Sequence, residues 1–139
     1  MASTVRRLPQ LPSVAEIIRL YGLSAKSELS QNFLLDLNIT RRIARCLNPH
    51  LRDSTVIEVG PGPGSLTTAL LQEGAGRVIA VETDRRFRPP LSLLMDAALP
   101  RLSVVWGDIL QVDEAYEPPP RASRSRDHEL AGCAWAATH

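Results

Sequence analysis

Between Thr55 and Glu73 the chain changes hydrophobic period with only five residues in between. Thr55-Val-Ile-Glu-Val59 is a short run rich in β-branched residues, and Ser65 to Glu73 (SLTTALLQE) has the spacing of a helix closed by Gly74. Gly60-Pro61-Gly62-Pro63-Gly64 joins the two. A strand that feeds a helix through so tight a loop opens a βαβ unit, and the continuation fits. Arg77-Val-Ile-Ala-Val81 reads as a second strand ending at Glu82, and Leu102-Ser-Val-Val-Trp106 as a third ending in Gly107-Asp108. Asp84 to Leu99, between them, reads as partly helical, with Pro89-Pro90 forcing a break or restart. Strand, helix, strand, helix, strand is the first half of a doubly wound, Rossmann-like α/β fold, and right-handed crossovers predict the spatial order 3-2-1.

Ahead of this unit, Ser13 and Glu16 form a capping box, Val14, Ile17, Ile18 and Tyr21 recur at helical spacing, and Gly22 is placed to end the helix. Asn38 to Leu47 carries Ile39, Ile43, Cys46 and Leu47 at spacings of three and four, which predicts an amphipathic helix with Cys46 as a small core residue. Behind the third strand, Ile109-Leu110 and Val112 are too brief to pair with strand 1. From Pro118 the chain (PPPRASRSRDHELAGCAWAATH) has a proline run, Arg/Ser alternation and no sustained period, so no stable structure is expected there. Strand 1 is then expected as an exposed apolar edge, as in a truncated or partial sequence. The chain divides into an N-terminal helical segment (1–23), a partial cofactor-binding domain (24–117) and a disordered tail (118–139).

Composition excludes several classes. Net charge is +1, from 16 basic and 15 acidic residues, so global charge does not announce a nucleic-acid binder, although it leaves room for a local patch. Aromatics are only 4%, which weakens any case for a base-stacking platform. No apolar run approaches the roughly 20 residues a membrane span needs. Cys46, Cys133, His50, His128 and His139 have no metal-ligand spacing, and no metal is expected. Arg6 and Arg7, with small hydroxyls and no acid before Glu16, have the composition of a short mitochondrial presequence or of an untidy terminus.

The glycine loop sits where α/β folds hold nucleotide cofactors. It lacks the Gly-Lys-Ser/Thr of a P-loop. Against a dinucleotide loop, its third glycine comes one residue early, and Pro61 and Pro63 have no N–H to offer a pyrophosphate. That favours a nucleoside ligand without phosphates, and S-adenosylmethionine is one. Glu82, about 20 residues beyond the loop, can accept both ribose hydroxyls, and Asp108 can accept a hydrogen bond from the adenine amino group. Either acid alone reads better as a helix cap or a solvated carboxylate; loop, Glu82 and Asp108 together carry the cofactor reading. Glu58 is expected to fix the loop by a hydrogen bond.

Ser30-Gln31-Asn32-Phe33-Leu34-Leu35-Asp36, Glu58 to Gly64, Val81-Glu82 and Gly107-Asp108 together resemble the rRNA adenine N6,N6-dimethyltransferase family, and most of all its mitochondrial members. The resemblance covers roughly residues 8 to 116. It implies a class I methyltransferase domain, S-adenosyl-L-methionine as cofactor, and an enzyme that dimethylates two adjacent adenines of a small-subunit rRNA hairpin. It also implies the mitochondrial matrix, the mitochondrial small ribosomal subunit as partner, and neither membrane nor metal. By family pattern, Gln31, Asn32 and Leu34 lie in a segment that closes over the cofactor. Gly60 contacts its methionine part, Glu82 takes the ribose with Thr83 beside the adenine, and Asp108 and Ile109 border the adenine ring. The family's Asn-Leu-Pro-Tyr/Phe motif, which holds the target base, does not occur, so no catalytic residue is assigned and the chain alone is expected to be inactive. The other expectations are a non-catalytic mitochondrial transcription or ribosome-assembly factor, and a non-functional truncated isoform.

Overall fold

A computed structural model describes residues 7–23, 36–47 and 50–111 with their side chains, and the backbone of Cys133–Ala137. Its elements are α1 (Val14–Leu20), α2 (Leu37–Cys46), a 3-10 turn (His50–Asp53), β1 (Thr55–Val59), α3 (Ser65–Gln72), β2 (Arg77–Glu82), a second 3-10 turn (Arg85–Phe87), α4 (Arg88–Ala98), β3 (Leu102–Trp106) and β4 (Cys133–Ala137). The helix ends follow from the residues named above. Ser13 Oγ accepts from Glu16 N and Glu16 returns a bond to Ser13 N at 2.8 Å, completing the capping box. α1 and α3 both finish in glycines with positive φ, Gly22 (60°) and Gly74 (100°). In each, the next N–H reaches back five residues: Leu23 N to Ile18 O and Ala75 N to Leu70 O, both 2.9 Å. Pro89 and Pro90 lie in the first turn of α4, where a missing N–H costs nothing, so they restart a helix after the 3-10 turn rather than breaking one.

The sheet is parallel throughout, in the order β3-β2-β1-β4. The 3-2-1 half is as expected; the fourth strand is not. Cys133–Ala137 lies beside β1, with Thr55 opposite Cys133 and Val59 opposite Ala137. The sequence reading expected no structure there, because the segment has neither β-branched residues nor an alternating pattern. Strand 1, expected as an exposed edge, is instead paired by the chain's own later segment, because such an edge is a row of backbone donors and acceptors that an extended segment can pair whatever its side chains.

The core lies between the sheet and α2, α3 and α4. Val56, Val78, Ala80 and Leu102 from the sheet meet Ala44, Leu66, Ala69, Leu70, Leu71, Leu94 and Ala98 from the helices. A second cluster is built from Ile17, Leu23, Phe87 and Leu91, with Val104 and Trp106 against it, and brings α1 onto α4 and the end of β3. Close approach is required at Gly76, where a Cβ would sit 2.1 Å from Arg52 O. Arg101 donates to Leu71 O (3.0 Å) and Ala75 O (3.1 Å), tying the turn before β3 to the end of α3; its partial burial lowers its pKa. α2 corrects one expectation. It buries Thr40 and Ala44, while Ile39, Ile43 and Cys46 are exposed, so Cys46 is a surface thiol rather than a core residue.

Candidate functional site

The carboxyl ends of β1, β2 and β3 are laced together by two backbone bonds. Gly60 N donates to Val81 O (2.9 Å), and Gly107 N donates to Glu82 O (3.0 Å). These place Gly60, Glu82 and Asp108 at one end of the sheet, on three neighbouring strand ends. The loop between β1 and α3 holds its bend with three glycines at positive φ, Gly60 (71°), Gly62 (56°) and Gly64 (91°). Gly64 has a second reason to be glycine: a Cβ there would meet Leu94 at 3.1 Å and Leu91 at 3.4 Å, so α3 starts in contact with α4.

Every N–H the loop owns is already used. Gly60 N is bonded to Val81 O, Gly64 N to Pro61 O at 3.0 Å, and Gly62 N to the Glu82 carboxylate at 3.0 Å. Pro61 and Pro63 have none. From Gly60 to Gly64 the loop therefore has no backbone donor to spare for a phosphate, which extends to the glycines what the prolines alone implied. No side chain caps α3 at Gly64. This donor set fits S-adenosylmethionine, whose adenosine and amino-acid parts can be held by carboxylates, carbonyls and apolar walls.

Glu82 is 5% exposed and clamps two loops at once: Oε2 accepts from Gly62 N and Oε1 from Asp84 N at 2.8 Å. Each carboxylate oxygen still has a lone pair for a further donor such as a ribose hydroxyl. Thr83, beside it, is exposed. Asp108 is half-buried; its Oδ1 accepts from Leu110 N (2.9 Å) and its carbonyl from Gln111 N (2.9 Å), a turn that presents Ile109, also half-buried, at the end of β3. Gln31, Asn32 and Leu34 lie outside the described residues. Asp84, which the sequence reading did not single out, orders the loop after β2 by accepting from Arg86, with the shortest contact at 2.7 Å. That pairing raises the Arg86 pKa further.

Glu58 corrects another expectation: its carboxylate bonds α3 and not the loop, which Glu82 holds instead. Glu58 is completely buried, and Thr67 Oγ1 donates to its Oε2 at 2.6 Å, joining β1 to α3 beneath the loop. Its Oε1 has no hydrogen-bond partner, nor has the buried Ser65 Oγ. Burial pushes the Glu58 carboxyl up to about 7; the Thr67 bond pulls it down, and the nearby Glu82 charge pushes it up again. Thr67 is the partner that sequence reasoning missed. Its signal was a pair of threonines in a helix otherwise made of core residues. Among the described residues no cluster of His, Cys, Asp and Glu could hold a metal ion, and no helix is long and apolar enough to cross a membrane.

Comparison with known proteins agrees with this geometry. The ribosomal RNA adenine dimethylase family model matches residues 22–130, past residue 116, where the sequence alone placed the end of the resemblance. A protein of Vermamoeba vermiformis named "Dimethyladenosine transferase 1, mitochondrial" is 59% identical over 66% of this chain and 26% of its own length. "Ribosomal RNA small subunit methyltransferase A" of Xanthobacter autotrophicus is 55% identical over 76% of this chain and 36% of its own. The chain thus spans roughly a quarter to two-fifths of the length of such relatives. The solved structure of a Klebsiella pneumoniae protein assigned as an O-methyltransferase covers 74% of this chain and 46% of its own, with a TM-score of 0.50 and 19% identity, and so shares the fold.

Proposed function

We propose that this chain, which belongs to the ribosomal RNA adenine dimethylase family, binds S-adenosyl-L-methionine at the carboxyl ends of β1, β2 and β3 and serves the N6,N6-dimethylation of adjacent adenines in a small-subunit rRNA hairpin. The observation that carries the reading is the Glu82 clamp on a glycine loop without a spare donor. In this reading Gly60 borders the methionine part, Glu82 takes the ribose hydroxyls, and Thr83, Asp108 and Ile109 line the adenine. Gln31, Asn32 and Leu34 belong to the same site by family pattern. The cofactor supplies an electrophilic methyl for the adenine N6. The residues of this chain position and desolvate, and positioning is where most of the acceleration of such a transfer lies. Glu82 holds its oxygens ready through two backbone N–H groups, so its orientation is set before any ligand arrives.

The 139 residues contain no Asn-Leu-Pro-Tyr/Phe motif, so the reading assigns methyl transfer itself to a protein that carries it and predicts no transfer by this chain alone. For location we propose the mitochondrial matrix, with the mitochondrial small ribosomal subunit as partner. The name of the Vermamoeba relative and the acid-free stretch around Arg6 and Arg7 support this. Thermal unfolding with added ligands tests the cofactor. S-adenosylmethionine at a hundred times its Kd should stabilise the chain by about 2.7 kcal/mol, while NAD and ATP should leave the midpoint unchanged. Stabilisation by NAD or ATP would overturn the phosphate-free reading. Labelled methyl incorporated into the hairpin by the 139-residue chain would overturn the prediction of inactivity.

A further inference from the structure

Helix α2 carries Arg41, Arg42 and Arg45 and no acid. Arg45 is ion-paired to Glu73 at 3.1 Å. Arg41 and Arg42 are exposed and have no ion-pair partner among the described residues. In the other arginine-rich stretch Arg86 is held by Asp84 and Arg88 lies over the Trp106 ring, 5.1 Å from its centroid, which leaves Arg85 as its exposed cation without an ion pair among the described residues. α2 also exposes Ile39 (45%) and Ile43 (36%), a pair four residues apart on its surface. A merely solvated helix has no use for such a pair beside unpaired cations.

The direction of α2 relates this face to the cofactor site. Arg45, near its end, pairs with Glu73, which ends α3, and Thr40 and Ala44 are its buried residues. The two helices therefore run the same way, and the start of α2 at Asp36 lies toward the end of the sheet that holds the glycine loop. At about 1.5 Å per residue, Arg41 and Arg42 sit roughly 8–9 Å below that start.

We infer that the outward surface of α2, with Arg42 at its centre, Ile39 and Ile43 on one flank and Arg41 on the other, docks the sugar-phosphate backbone of the RNA whose adenines the site serves. The inference rests on the proposed RNA substrate. The arginines neutralise phosphates without reading sequence, and the isoleucine methyls beside Arg42 cover a ribose face. The near-zero net charge of the whole chain makes such a local patch the means by which it holds RNA.

The test uses the full chain and a stem-loop RNA with two adjacent adenines in its loop, titrated by fluorescence anisotropy over a salt series. Arg41→Gln/Arg42→Gln should weaken binding about five- to tenfold at low salt and flatten the slope of log K against log salt by roughly 1–2. Arg41→Lys/Arg42→Lys should keep most of the affinity. Circular dichroism and S-adenosylmethionine titration should be unchanged in both. No RNA binding by the wild type, or equal affinity and slope in wild type and Gln variant, would overturn the inference. So would an unchanged RNA affinity in Ile39→Ser/Ile43→Ser that abolishes association with a protein. Failure to bind S-adenosylmethionine, with the RNA result as expected, would instead sink the cofactor reading and leave this face standing.

Discussion

Helices α2 and α3 lie side by side, run the same way and differ in almost everything else. α3 buries six of its eight residues and has no side-chain cap at its start. α2 buries only Thr40 and Ala44 of its ten and is capped by Asp36, whose carboxylate accepts from Asn38 N at 2.8 Å. α3 continues a strand through a rigid loop, so its position is fixed from the sheet side: Glu58 bonds Thr67 from beneath, and Gly64 brings it against α4. α2 is held by one narrow stripe and turns its charge outward. The lesson is a division of labour. The buried helix sets the geometry of the glycine loop, while the exposed helix turns its arginines to solvent.

The largest effect that would break this contrast is on stability. Leu70→Ala in α3, at a fully buried position, should cost about 2–5 kcal/mol in urea unfolding. Ile43→Ala in α2 should cost well under about 1 kcal/mol; similar losses at the two sites would show that α2 is buried after all. Next comes the pH dependence of Glu58. Its carboxyl is raised to about 7 in the folded chain, so between about pH 4.5 and pH 7 the folded state keeps a proton that the unfolded state has lost. Stability should therefore fall as pH rises through that window, by on the order of 3 kcal/mol, and level off above it. In Glu58→Gln that fall should vanish, which parallel denaturation curves at pH 5 and pH 8 would reveal. Asp36→Ala should give a smaller change than Leu70→Ala or the pH step, about 1 kcal/mol, from loss of the α2 cap. A shift several times larger would mean that the start of α2 is bound into the site rather than merely capped.

Much of the fold was legible because local chemistry and tertiary need agree. The Ser13–Glu16 box, the Gly22 and Gly74 terminators, and the three β-branched runs specify their elements on their own, and crossover handedness then orders the strands. Two things were not legible. In α2 the isoleucines have helical spacing, yet the buried stripe is the smaller Thr40 and Ala44, with Ala44 in the core among residues of α3, and which stripe is buried depends on the neighbours rather than on the helix's own pattern. In Cys133–Ala137 the pairing comes from the edge of β1 and not from the segment's own residues. In the site, Glu82 and Asp108 could be placed from strand ends alone. That the Glu82 oxygens hold Gly62 and Asp84, and that Glu58 meets Thr67, depends on side chains brought together across 20 and nine residues of chain, which spacing does not encode.

The central claim is that the Glu82-clamped loop is an S-adenosylmethionine site. Calorimetric titration of the purified chain with that ligand, beside Glu82→Ala, tests it most directly. The account predicts saturable binding to the wild type, weakened at least a hundredfold in the variant, which loses a charged acceptor together with the anchor of Gly62. Equal binding by the two proteins, or none by a wild-type chain whose circular dichroism shows it folded, would contradict the claim.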